Sequence, residues 1–171
     1  MHPSVTPLAG IFRLNTELVL NCITDLPDDL AQRRVGEKLN SIAFLVAHLT
    51  ETRHFLAAML GQPLPSPFSA AFTSARSIEQ AGPLPPVAPL IQYWEAIAAH
   101  LAVLVERLDT PQLGRTVPPL PGSDGSTLGN LAFLAQHESY HLGQIALLRR
   151  ALDLPTMSYR LSSREPGRRG A

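Results

Sequence analysis

"TLGNLAFLAQHESYHLGQIALLRRAL", residues 127–152, decides how the chain is read. At roughly 100° per residue, Thr127, Leu131, Leu134, His141, Ile145, Leu148 and Leu152 fall on one stripe of a helix. Inside the stretch lies His137-Glu138-Ser139-Tyr140-His141, which matches H-E-x-x-H, the zinc signature of many metalloproteases. The two histidines, four residues apart, are neighbours on that helix and are expected to face its apolar side. Glu138 falls on the flank of the stripe.

Three further segments share the helical period. The first runs from about Pro7 to Asp25, with Thr6 as the expected N-cap and Pro7 in the first turn. Its face carries Leu8, Ile11, Phe12, Leu18, Val19, Cys22 and Ile23, and Asn15 in mid-stripe needs a partner if buried. The second spans roughly Ser41–Leu60 and ends at Gly61. Phe44, Leu45, His48, Thr52, Phe55 and Met59 share one of its faces. The third covers about Val87–Leu108, with Leu90, Trp94, Ile97, Leu101, Leu104 and Leu108 together. Between the second and third, residues 61–86 hold six prolines. That is far longer than the ~2–8 residues that usually join bundle helices, so it predicts a crossover and an order other than up-down-up-down. With no alternating strand pattern and no internal repeat, the fold class is all-α: a four-helix bundle with long crossover connections. One domain fills residues 1–171, with a helical core over about 7–152 and a tail over about 153–171.

Composition narrows the function. Of 171 residues, 45% are apolar and 16% charged, enough for one packed core. Fourteen basic residues balance fourteen acidic ones, which excludes a general nucleic-acid binder. Six of the fourteen are arginines within 149–171, a pattern that reads as a solvated tail. The single cysteine, Cys22, permits no intrachain disulfide and reads as a small core residue. The opening "MHPSVTPLAG" lacks the layout of a signal peptide, and no apolar run reaches the ~18 residues of a membrane span. A cytoplasmic protein without a membrane partner is expected.

Three histidines stand out by direction. His48 lies at the centre of the apolar face of the second helix, and His137 and His141 lie on that of the fourth. One inward histidine is most often a satisfied core residue. Three on two facing helices point instead to a divalent metal, because imidazole nitrogen suits such ions and bundle cores build sites this way. His54, beside Arg53, reads as a surface residue, His100 as a boundary residue, and His2 as part of an unpatterned terminus. The protease reading fails. Gln144 and Leu147 stand where the extended motif needs Gly and His, and no histidine follows His141. The only downstream glutamate, Glu165, sits in the tail, and no strand is available to align a peptide.

"SIAFLVAHLTETRHF" (residues 41–55) and "HESYHLGQIALLRRAL" (residues 137–152) resemble the DinB/YfiT-like superfamily of metal-binding four-helix bundles. The resemblance extends over about residues 8–152. It implies one divalent metal, zinc or nickel, held by His48, His137 and His141. It also implies a homodimer and, in the better understood branches, a low-molecular-weight thiol cosubstrate. The expected function is therefore that of a metal-dependent enzyme, a thiol-dependent transferase acting on a small electrophile as its small-molecule substrate. A non-catalytic metal-stabilised binding or stress-response module and a metal-water hydrolase are the alternatives. Glu138 is the candidate catalytic residue, as ligand orienter or proton acceptor. Thr52 and Gln144 are candidates to support the ligands or meet substrate. Arg149 and Arg150 are placed to meet an anionic cosubstrate or to complement the helix dipole.

Overall fold

In the computed structural model, residues 1–68, 70–73, 75 and 77–159 are described, Ala71 and Thr73 by backbone alone. The last four arginines of the tail and Glu165 lie outside the described residues. Among the described residues eight helices follow in order: α1 (Thr6–Ile23), α2 (Asp28–Gln32), α3 (Ile42–Met59), α4 (Ala70–Thr73), α5 (Ile78–Ala81), α6 (Val87–Glu106), α7 (Thr110–Gly114) and α8 (Thr127–Ala151). The four long ones are those read from periodicity, displaced at their ends by no more than two residues.

Local chemistry sets those ends. Ser41 and Ser126 accept the amide hydrogens of Phe44 (3.2 Å) and Gly129 (2.9 Å), capping α3 and α8. Gly61, at φ 84°, ends α3 by letting the Gln62 amide reach back 3.0 Å to the Ala57 carbonyl. At α1 the cap is Val5 rather than Thr6, and no side chain caps it. The short helices α2 and α7 sit in stretches that periodicity reads as links. In α7 an Asp109/Gln112 capping box supplies the stabilisation that five residues of pattern cannot reveal.

Each long helix packs on two others: α1 on α6 and α8, and α3 on α6 and α8. Two core clusters give the helix directions. One joins Leu18–Ile23 of α1, Ile42–Leu49 of α3, Leu90 and Trp94 of α6, and Leu142–Leu148 of α8. The other joins Phe12, Leu56, Leu101 with Val105, and Leu131 with Leu134. The late half of α1 therefore meets the early halves of α3 and α6 and the late half of α8. The order is up-down-down-up. Because α3 and α6 are parallel neighbours, the chain must return along its whole length between them, which is what the proline-rich segment 60–86 does. The crossover expected from sequence is present.

Helix α6, at 20 residues and mean hydropathy 1.3, is long and apolar enough to cross a membrane by length and composition, where the sequence showed no such run. Core helices pass the same test. Trp94, Ile97 and Leu101 of α6 are buried against neighbouring helices. Among the described residues there is no strand, only an isolated bridge between Thr116 and Ser126.

Candidate metal centre

The antiparallel packing of α3 against α8 brings His48 to the side of His137 and His141. Their rings are half-buried and meet edge to face, with centroids 4.5–5.2 Å apart. Three Nε2 atoms converge: His48 to His137 is 3.4 Å, and His141 to His137 is 3.1 Å. Nitrogens at about 2.0–2.1 Å from a common ion, subtending angles between octahedral and tetrahedral, stand roughly 2.8–3.4 Å apart. The donor set thus fits one divalent cation. Without one, three nitrogens would compete for too few protons in a partly dry place.

The far sides of the rings bear on the same point. His141 donates from Nδ1 to Gln144 Oε1 at 2.8 Å, which leaves the Nε2 lone pair for the centre. His137 Nδ1 is buried with no hydrogen-bond partner among the described residues. Phe44 stacks on His48, and Phe133 and Tyr140 lie beside His137 and His141. Burial, reinforced by neighbouring imidazoles, pushes His48 and His137 down to about 4. Burial also lowers His141, opposed by its bond to Gln144. All three are neutral near pH 7, the state in which imidazole binds a metal.

These shifts carry a sign. The unfolded pKa is about 6.5, so between pH ~6.5 and ~4 the unfolded chain holds more protons than the folded one. The contribution is present above pH ~6.5 and is lost as pH falls through the folded value of about 4. Metal-free protein should lose more melting temperature between pH 7.5 and 4.5 than the His48→Gln/His137→Gln variant does. Equal losses in the two proteins would contradict this assignment.

The other residues singled out by sequence have other partners. Thr52 donates to the His48 carbonyl oxygen at 2.9 Å, not to its ring. His54, expected at the surface, is buried, with Nδ1 3.2 Å from the Leu64 carbonyl oxygen in the crossover. His100 meets the Gln62 carbonyl oxygen (2.9 Å) and His2 meets Thr110 (3.2 Å), both apart from the three-histidine group. Arg149 is buried and holds the carbonyl oxygens of Cys22 and Pro155, so α1 and the tail, not a cosubstrate, occupy it. Arg150 is exposed. Cys22 is fully buried, and burial pushes its thiol up to about 11, as befits a core residue.

The direction of α8 is corrected most. Sequence put the two histidines inside and Glu138 on the flank, whereas the buried line is Leu131, Leu134, Glu138, Leu142, Ile145 and Arg149. Glu138 is 1% exposed and the histidines lie half-buried at the bundle edge. The cause is Arg53, which is also 1% exposed. Its Nε donates to Glu138 Oε1 (2.7 Å) and its Nη2 to Oε2 (2.9 Å), while Asn15 donates to Oε2 (3.2 Å). Asn15 has found the partner it needed. Phe55 likewise lies half exposed, at 50%, because the face it shares with His48 runs out to the surface. The signal in the sequence was a pair: an arginine five residues after His48 and a glutamate next to His137, each unable to be buried alone.

The family model of the DinB superfamily matches residues 11–145, from the first turns of α1 to the last third of α8, and so includes all three histidines. No protein of curated function matches the chain.

Proposed function

This chain belongs to the DinB superfamily, and from that premise we propose that it is a cytoplasmic metal-dependent enzyme that transfers a small electrophile to a low-molecular-weight thiol. The observation that carries the reading is the convergence of three Nε2 atoms at a half-exposed edge between α3 and α8. A sealed structural site would bury its ligands and complete its own coordination, whereas three imidazoles leave positions for a thiol or water. Zinc and nickel suit this donor set. Bound there, either ion would bring the pKa of a thiol toward neutrality.

The chain's own residues do the rest. Gln144 fixes the tautomer and tilt of His141. Phe44, buried against His48, backs that ring, and Tyr140, exposed beside His141, gives apolar surface on which a small electrophile can rest. The single, buried cysteine leaves the attacking thiol to come from a cosubstrate and is consistent with a reducing compartment.

Purified, metal-loaded protein should consume thiol in the presence of an epoxide or an activated alkene, and a chelator should abolish that turnover. Water-dependent loss of an ester or amide with no thiol consumed would move the assignment to a hydrolase. No metal-dependent turnover across a varied panel would leave a metal-binding module without catalysis.

A further inference from the structure

At Arg53 all four long helices meet. From α3 it pairs with Glu138 of α8 at 2.7 and 2.9 Å. From Nη1 it donates to Thr16 Oγ1 (2.8 Å), and from Nη2 to the Phe12 carbonyl oxygen (3.0 Å), both on α1. Its guanidinium carbon lies 3.8 Å from the ring centroid of Trp94 on α6. Asn15 of α1 completes the set from the side of Glu138 and also reaches Ser139 (3.3 Å). The pair between Arg53 and Glu138 is the only ion pair among the described residues with both side chains at 1% exposure.

We propose that this buried polar clamp is a positioning device for the metal centre: it sets the register of α3 against α8 and thereby the separation of His48 from His137 and His141. The inference rests on the metal-site reading above. Glu138 follows His137 directly, and Arg53 stands five residues, roughly 7.5 Å of helix rise, beyond His48. The clamp and the ligands therefore share the same two helices within about one and a half turns. Apolar packing between helices is non-directional and tolerates small slides. A bidentate guanidinium–carboxylate pair fixes both distance and angle. Nitrogens that must stand 3.1–3.4 Å apart need the second kind of constraint. Stability alone would be served as well by apolar side chains of similar volume, as a buried ion pair generally can be.

That difference makes the test. In Arg53→Met/Glu138→Leu the ion pair is replaced by apolar groups, while Thr16 still donates to the Phe12 carbonyl oxygen and Asn15 to Ser139. Affinity for zinc is read by competition with a chromophoric chelator, site geometry by the absorption spectrum of bound cobalt(II), and folding by thermal melting in chelator. The double variant should melt at or above the wild-type temperature, bind zinc ten- to a hundredfold more weakly and show a changed cobalt spectrum. Glu138→Gln, which keeps the shape and one acceptor for Arg53, should recover part of that loss. Wild-type affinity and an unchanged spectrum in a folded double variant would overturn the clamp while leaving the metal site standing. Wild-type protein that takes up no metal would remove both. Should the double variant fail to fold, Asn15→Leu decides: several-fold weaker zinc binding supports the clamp, and unchanged affinity overturns it.

Discussion

His141→Ala is expected to leave a chain that folds and retains almost no metal. The substitution removes one of three converging nitrogens, and it also frees Gln144, whose only assigned role is to hold that ring. Loss of an outer partner alone typically costs ten- to a hundredfold in metal affinity, so loss of a ligand should cost at least about a hundredfold. The fold should tolerate it. His141 is half-buried at the bundle edge, alanine is the best helix former, and burial disfavours a charged imidazole there. Metal analysis after dialysis, beside circular dichroism of the same sample, separates the two effects. Full metal content in a folded His141→Ala protein would sink the ligand assignment, and with it the convergence on which the functional reading depends.

The sequence carried the helices and the histidines because both are local signals. A 3.6-residue period marks α1, α3, α6 and α8 whatever they pack against, and an i, i+4 histidine pair is adjacent on any helix. The crossover was legible for the same reason: six prolines in 26 residues cannot form a tight turn between helices. What was not legible is which side of each helix faces in. In α8 the apolar residues surround most of the helix, so the stripe through His141 and the line through Glu138 fit the period almost equally well. The tie is broken by Arg53, 85 positions away. A wheel drawn for one helix treats an arginine and a glutamate as outward-pointing, and only the partner makes burial affordable. The wheel likewise turned His54 outward, about 120° from His48, because its partner, the Leu64 carbonyl oxygen, belongs to a crossover with no period to read. The three histidines thus come together as expected, but with the face of α8 turned: histidines at the edge, carboxylate inside. That inversion matters chemically. It puts the three histidines at the half-exposed edge of the bundle and gives the glutamate a guanidinium to hold.

The second large effect is the breaking of that pair from one side only. Arg53→Ala leaves the Glu138 carboxylate in the core with Asn15 still donating to it, and Glu138→Ala leaves a buried guanidinium without the carboxylate it pairs with. Removing one member of a buried pair typically costs about 3–5 kcal/mol, out of the roughly 5–15 kcal/mol that holds a domain folded. For a chain of this length that corresponds to a fall in melting temperature of about 6–20 °C. Arg53→Ala should lie toward the larger end, since it also empties the space against Trp94 and strips the Phe12 carbonyl oxygen and Thr16 of a donor. Melting measured in chelator keeps metal binding out of the comparison. The two single variants and the double Arg53→Met/Glu138→Leu then form a contrast with opposite signs: each half-pair strongly destabilised, the apolar replacement not. A shift under about 2 °C in both single variants would mean that the pair is not coupled to folding, and α3 and α8 would have to be held in register by their apolar contacts alone. Destabilised single variants beside a stable double variant would assign the pair's value to placement rather than to cohesion, which is the property a three-histidine centre split between two helices requires.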